Sequence, residues 1–157
     1  MEAKLIARYE EVARQYTGEY PAAPLALLTT DGRQVAGVHP CPACRDEPRF
    51  PAALARESLR WGEATISECP HSVCLWAVPV TDNNELVGSL LSGSVLPHDI
   101  SQVSQLTDAA RRLCQLACKA NLSNAVLPAC HAEQAAREAD KAQAIHSLKG
   151  DMYHTVR

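Results

Sequence analysis

Apolar residues recur along this chain with two different periods, and the points where the period changes divide it into elements. Residues 2–15 place apolar side chains at helical spacing with charged residues between them, which predicts an amphipathic helix. Residues 25–30 and 34–38 are short strand-like runs, and the dipeptide Asp31-Gly32 between them is a hairpin signal. The first elements are therefore a helix and a hairpin.

The next part of the chain contains a stiff loop, a short helix and a strand. The prolines of residues 39–51 each remove a backbone donor and fix a backbone angle, which predicts a loop. Pro51 at the start and Gly62 at the end delimit a predicted short helix. Residues 63–67 then predict a further strand.

A longer hairpin and two helices complete the pattern. Residues 69–80 and 86–95 have the composition of strands, and the polar turn Thr81–Glu85 joins them. Residues 100–120 carry one apolar stripe that predicts a long helix. Residues 128–157 also have a helical pattern, with a narrow apolar seam that suits a partner helix.

This order of elements predicts an α+β domain with an antiparallel sheet, flanked by an N-terminal helix and long C-terminal helices. The architecture resembles the PAS and GAF sensor modules. It divides the chain into a PAS-like sensory domain, residues 1–127, and a C-terminal signalling or dimerisation helix, residues 128–157. Because the helical pattern continues to the last residue, we expect a homodimer through the helical ends and an output domain outside this chain.

Composition limits the classes of function. Fifteen basic and eighteen acidic residues give a net charge of -3, which predicts no direct binding to nucleic acid. No apolar run approaches the roughly 20 residues that cross a bilayer, and no leader sequence is apparent. We therefore expect a cytoplasmic protein without a membrane partner, whose seven cysteines stay reduced. Metal binding, redox sensing or simple burial then explains the thiols better than disulfides do.

Four cysteines have spacings that metal sites use. Cys41 and Cys44 form a CxxC knuckle, whose turn directs two sulfurs at one ion, and Cys69 and Cys74 form a wider pair. If the proline-rich loop folds over the end of the longer hairpin, the four sulfurs form a closed tetrahedral shell for zinc or, alternatively, ligate an iron-sulfur cluster. Such a closed site is structural or redox-responsive. The alternative is that these cysteines are loop thiols and small buried residues.

The other candidate metal ligands have weaker patterns. His39 and His71 stand beside the cysteine pairs, and either imidazole is able to replace a sulfur. Cys114 and Cys118 lie four positions apart on the apolar stripe of the long helix, where packing explains them. Cys130 has no evident partner in the sequence.

The longer hairpin also predicts a small-molecule site. Trp76 alternates with apolar neighbours and would form the floor of a cavity, and Gly88 in the next strand would leave room for a ligand. Leu28 and Leu90 would supply apolar walls, and His71 is a candidate polar contact. The alternative is that Trp76 is a core residue and that the glycine permits a bulge.

Two runs and the turn between them resemble a known family. They are Cys69-Pro-His-Ser-Val-Cys-Leu-Trp-Ala-Val-Pro-Val80, Asp82-Asn-Asn-Glu85 and Leu86-Val-Gly-Ser-Leu-Leu-Ser-Gly-Ser-Val95, and the pattern is similar to the PocR-type sensory domain. The resemblance implies a PAS-like module of bacterial regulators that binds small organic molecules, often upstream of a DNA-binding domain or a histidine kinase. This chain departs from the family in having Val73-Cys74 where Gly-Leu is common.

Two rival classes share some of these features. A structural zinc-binding interaction module would have the same cysteines without a ligand cavity. A zinc-dependent deaminase would combine the PCxxC motif at Cys41 with an upstream His-x-Glu, but the sequence has only His131-Ala-Glu133, which comes later. No nucleophile elbow, phosphate-binding loop or dinucleotide fingerprint occurs. The sequence therefore predicts a sensory domain and not an enzyme: the signal-input part of a regulator, which binds a small ligand, a cysteine-held metal or both.

Overall fold

The computed structural model describes residues 1–95 and 100–123. The elements follow one another as α1 (Ala3–Glu19), β1 (Leu25–Leu28), β2 (Gln34–Gly37), α2 (Arg49–Trp61), β3 (Thr65–Glu68), β4 (Val73–Asp82), β5 (Glu85–Val95) and α3 (Ile100–Lys119). A short 3-10 helix, Pro42–Asp46, lies in the proline-rich loop between β2 and α2. The predicted helix over 128–157 lies outside the described residues.

The predicted ends of the helices are close to the observed ones. α1 continues through the exposed Gly18 to Glu19, one turn beyond the predicted end. α2 ends at Gly62, whose φ of 71° is the left-handed conformation that glycine adopts without strain. No helix among the described residues is long and apolar enough to cross a membrane.

A five-stranded antiparallel sheet in the order β2-β1-β5-β4-β3 forms the centre of the domain. The α+β fold with an antiparallel sheet is thus confirmed. The long β4-β5 hairpin turns at Asn83 and Asn84, which have φ values of 52° and 65°. Two successive positive φ angles match the right-handed twist of a hairpin, and asparagine tolerates them better than most residues.

Apolar side chains cover both faces of this sheet. Successive residues of a strand point to opposite sides, and these strands contain runs of consecutive apolar residues. The face toward α1 and α3, here the α1/α3 face, includes Leu25, Leu27, Trp76, Val78, Val80 and Leu90. The face toward α2, here the α2 face, includes Ala26, Leu28, Leu75, Ala77 and Leu91. Two separate cores therefore hold the helices on the sheet.

Hydrogen bonds fix the helices on both faces. The Ser58 hydroxyl donates to the Leu54 carbonyl at 3.1 Å and accepts the backbone N–H of Thr65 at 2.9 Å, which ties α2 to β3. On the other face, Nε and Nη2 of Arg112 in α3 donate to the two carboxylate oxygens of Glu19 in α1, at 2.9 Å and 3.1 Å. These contacts join α2 to the edge strand on one face and α1 to α3 on the other.

Candidate functional site

Three buried sulfur atoms meet where the proline-rich loop covers the α2 face. The Sγ atoms of Cys41, Cys44 and Cys69 all lie within 4.8 Å of one another, and those of Cys41 and Cys69 are 3.8 Å apart. Their residues are 2%, 0% and 3% exposed. The three cysteines pack in the same apolar cluster as Leu75 and Leu91. The site is therefore shielded from solvent on the inside of the loop.

The CxxC knuckle owes its shape to the 3-10 helix. Cys41 precedes this helix, and the backbone N–H of Cys44 donates to the Cys41 carbonyl at 2.9 Å. The i to i+3 turn brings the two side chains to the same side, as the CxxC spacing predicts. Pro42 at the first helical position starts the turn without losing a backbone bond.

The third sulfur comes from a tight turn between β3 and β4. The Cys69 backbone N–H donates to the Val73 carbonyl at 2.8 Å, and Ser72 in this turn has a φ of 64°. The Cys69 sulfur accepts the backbone N–H groups of His71 at 3.3 Å and Val73 at 3.4 Å. Two backbone donors thus hold the sulfur in a fixed position within the turn.

Gly93 allows the loop to approach the sheet. A Cβ atom at this position of β5 would lie 2.6 Å from the Cys74 carbonyl oxygen, 2.6 Å from Leu75 Cδ2 and 3.1 Å from Pro40 Cβ. Pro40 is the residue before Cys41, so the missing side chain leaves the space in which the knuckle is seated. The sequence reasoning did not assign this role, although a glycine within a strand often marks a close backbone approach.

Cys74 lies apart from these three sulfurs. Leu75, the next residue of β4, belongs to the same apolar cluster as the three cysteines, and the alternation of a strand gives Cys74 the parity of Trp76, on the other side of the sheet. Burial first, and then the neighbouring charges of Glu68 and Cys69, raise the pKa of the Cys74 thiol to about 12. The structure thus brings together three of the four cysteines predicted to bind metal.

The electrostatics of the cluster differ with and without a metal. Burial, followed by the hydrogen bonds with Cys41 and Cys69, raises the pKa of the Cys44 thiol well above its usual range. A thiol in this position is neutral near pH 7 unless a cation stabilises its thiolate. Because three thiolates this close repel one another, the arrangement suits three neutral thiols or three thiolates around one ion.

The two histidines near the cluster have different surroundings. His39 is buried, and its Nδ1 accepts the backbone N–H of Cys41 at 3.1 Å, while its Nε2 has no partner among the described residues. Burial, with a smaller contribution from Arg45, lowers the pKa of His39, so the ring is neutral near pH 7. The imidazole of His71 is at the surface, with Nε2 3.7 Å from Glu47 Oε2.

The residues predicted to line a ligand cavity do not share one side of the sheet. Trp76 and Leu90 are on the α1/α3 face, whereas Leu28 is on the α2 face. Trp76 is fully buried, and its Nε1 donates to the Tyr16 hydroxyl at 3.1 Å. A Cβ atom at Gly88 would lie 2.4 Å from the Leu28 carbonyl oxygen, so this glycine serves close packing. The sheet separates these residues because neighbours in a strand alternate between faces.

Two open depressions lie on the side of α2. One, of about 570 Å3, is lined by residues 46–50, directly after the knuckle. The other, of about 220 Å3, lies between α2 and the edge strand β3 and is lined by Phe50, Ala53, Leu54, Glu57, Thr65, Ile66 and Ser67. Thr65 also has a buried hydroxyl without a partner among the described residues. The sequence reasoning missed this side, although the alternation of β3 places Thr65 on the face of Ala77.

The antiparallel sheet, its strand order and the helices on both faces place this domain among the PAS- and GAF-like α+β modules. A family model described as the sensory domain found in PocR matches residues 24–137. The chain belongs to this family, which confirms the resemblance seen in the longer hairpin. The match includes the loop, the three clustered cysteines and all five strands of the described residues.

The solved structures that this chain resembles are only distantly related to it in sequence. One is the GAF domain/HD domain protein from Geobacter sulfurreducens, with a TM-score of 0.41 and 10% identity over 74% of this chain and 94% of that chain. Another is the E. coli DhaR(N)-DhaL complex, with a TM-score of 0.45 and 14% identity over 90% of this chain and 54% of that chain. None of the curated proteins matches this chain.

Proposed function

We propose that this domain is the signal-input part of a regulatory protein and that its sensing element is a metal ion held by Cys41, Cys44 and Cys69. The family is a sensory one, which supports signal input. The observation that supports the metal is the convergence of three buried sulfurs from two separate turns. A core made only of apolar packing does not need three thiols in mutual contact.

The spacing of the sulfurs favours one ion over a cluster. Two thiolates bound at about 2.3 Å to the same tetrahedral zinc ion lie about 3.8 Å apart. The Cys41 and Cys69 sulfurs are 3.8 Å apart. In a [4Fe–4S] cluster each cysteine binds a different iron, so the sulfurs lie farther from one another. Zinc is therefore the ion that we favour, and a cluster is the alternative.

The depression beside the knuckle also supports a response of this domain to a small ligand. The depression lined by residues 46–50 follows Cys44 directly, so a molecule bound there would contact the loop that holds two of the sulfurs. A molecule bound in this depression would change the conformation of the loop, which lies against β5 at Pro40. In a cytoplasmic homodimer, the change would reach an output domain through residues 128–157.

Metal analysis of the anaerobically purified chain tests the proposal. We expect about one zinc per chain by mass spectrometry, and no brown colour. Cys41→Ser and Cys69→Ser should each lower the zinc content, whereas Cys74→Ser, a matched control on the opposite face of the sheet, should retain it. Circular dichroism shows whether each variant folds, and Cys74→Ala replaces the control if the serine variant does not. A folded wild-type chain without metal, whose stability is unchanged in Cys69→Ser, would contradict the proposed site.

A further inference from the structure

The groove between α2 and the edge strand β3 is built from one stripe of the helix and one side of the strand. Its lining residues on the helix recur at the spacing of helical turns: Phe50, Ala53, Leu54 and Glu57. On the strand, Thr65 pairs with Ala77 and Ser67 with Leu75, so both hydroxyl side chains have the parity of the α2 face. The three clustered cysteines are not among the lining residues, so this groove is separate from the proposed metal site.

The groove is apolar at one end and acidic at the other. Phe50 and Glu57 are seven positions apart in α2, which corresponds to about 10 Å at the rise of an α-helix. Among the described residues that line the groove, Glu57 alone is charged. One of its carboxylate oxygens accepts Trp61 Nε1 at 2.7 Å. The lining thus favours an occupant with an apolar chain and a positively charged end.

A buried hydroxyl lies at the acidic end of the groove. The backbone N–H of Thr65 donates to Ser58 Oγ at 2.9 Å, which places Thr65 beside the turn of α2 that carries Glu57. Thr65 is 3% exposed, and its hydroxyl has no partner among the described residues. Its side chain is on the α2 face, the side of β3 on which the groove lies. Because buried hydroxyls are normally hydrogen-bonded, this one indicates a polar group that an occupant supplies.

We propose that this groove binds a small organic cation, a primary ammonium ion on a short aliphatic chain. The ammonium group donates to the Glu57 carboxylate and the Thr65 hydroxyl, and the chain lies against Phe50, Ala53 and Leu54. The volume of about 220 Å3 is below the roughly 300–1,000 Å3 of sites for drug-sized molecules, so a chain of a few carbons fits. This inference goes beyond the proposed metal site and does not depend on it.

The two tryptophans provide a reporter at the groove and a control away from it. The Trp61 indole donates to Glu57, whereas Trp76 is fully buried on the α1/α3 face. Titration of the full chain with n-butylammonium chloride, followed by the NMR signals of the two indole N–H groups, tests the proposal, and Trp61→Phe assigns the signals. We expect a saturable shift of the Trp61 signal and a constant Trp76 signal. Sodium butyrate, an anion with as many carbons, should shift neither signal at the same ionic strength.

Variants separate the charge, the hydroxyl and the shape of the groove. Glu57→Gln should weaken the binding of n-butylammonium about fivefold, as expected for one partly exposed ion pair. Thr65→Val keeps the shape and removes the hydroxyl, which should weaken binding by a similar factor of about five. Ala53→Leu changes an exposed position of α2 and should fill the groove and abolish binding. Glu47→Gln, in the depression lined by residues 46–50, is the matched control and should bind as the wild type does.

Several results would overturn the proposal. The absence of a Trp61 shift, or binding that Ala53→Leu leaves intact in a chain folded by circular dichroism, would show that the groove is not the site. An equal response to butyrate would overturn the selection of a cation. Weaker binding in Glu47→Gln and not in Glu57→Gln would place the ammonium ion in the other depression. The wild type should bind n-butylammonium equally with and without a strong zinc chelator, so failure of this inference and failure of the metal site are distinguishable.

Discussion

The sulfur atoms of Cys41 and Cys69 lie 3.8 Å apart, although 28 positions separate the two residues in the chain. The first belongs to a loop that follows the β1-β2 hairpin, and the second to the turn between β3 and β4. Since β2 and β3 are the two opposite edges of the sheet, the loop has to cross the α2 face to reach that turn. The packing that allows this crossing can be tested separately from the metal.

Gly93→Ala should lower the affinity for zinc. The added methyl group would lie 2.6 Å from the Cys74 carbonyl oxygen and 3.1 Å from Pro40 Cβ, so the strand and the loop both have to move. Overpacking of this kind costs about 1–3 kcal/mol of folding free energy. Competition with a chromophoric zinc chelator measures the affinity of the folded variant.

Gly18→Ala is the matched control for this change. No atom lies within 4 Å of the added methyl group on α1, so we expect an unchanged zinc affinity. Alanine in a helix is more favourable than glycine by about 1 kcal/mol, so the chain should also be slightly more stable. An equal loss of zinc in both variants would show that Pro40 and Gly93 do not position the knuckle.

Removal of the metal should lower the melting temperature. A ligand that binds only the folded state stabilises it by about 4 kcal/mol at a free concentration 1,000 times its dissociation constant. Without the ion, the buried thiols of the cluster take up protons, and the Cys44 thiol in particular has a raised pKa. Calorimetry with and without a strong chelator measures the difference, and re-addition of zinc should restore the original melting temperature. The same chelator should leave the melting temperature of Cys69→Ser unchanged.

Tyr16→Phe should destabilise the domain without affecting the metal. The Tyr16 hydroxyl is shared by Trp76 Nε1 at 3.1 Å and the Ser92 hydroxyl at 2.9 Å, all within the buried core of the α1/α3 face. Loss of this hydroxyl leaves two buried polar groups with one partner fewer, which costs about 1–3 kcal/mol. Urea unfolding at neutral pH measures the loss. A change in zinc content would show that the two faces of the sheet are coupled.

The contribution of the Tyr16 hydroxyl to the free energy of unfolding should decrease at high pH. Burial raises the pKa of Tyr16 from 10.0 to about 12, so the native state keeps the phenolic proton over a range in which the unfolded state releases it. The contribution is complete below pH 10 and decreases as the pH rises toward 12, by about 1 kcal/mol per pH unit for one group. The difference in unfolding free energy between the wild type and Tyr16→Phe should therefore narrow from pH 9 to pH 12. A constant difference over this range would contradict the raised pKa.

The order of helices and strands could be predicted because its signals are local. The helical spacing of residues 2–15, the Asp31-Gly32 turn and the glycine at position 62 each depend on neighbours a few residues away. These signals identified the hairpins, α2 and the long helix, and the pattern of the second hairpin identified the family. The CxxC spacing likewise placed two thiols side by side before any tertiary contact was known.

The tertiary structure decided which other thiol joins the knuckle. Cys69 and Cys74 are close to each other in sequence, but Cys69 lies in a turn whose sulfur contacts the Cys41 sulfur, and Cys74 lies in β4. Cys74 and Leu75 are neighbours in a strand, so their side chains point to opposite faces of the sheet. Which of the two faces the proline-rich loop covers depends on how the sheet packs against α2 and α3. Leu28 and Trp76 likewise lie on opposite faces of the sheet, which the sequence pattern alone did not show. Periodicity along a chain shows that a strand has two sides, and only packing against distant elements determines what covers each side.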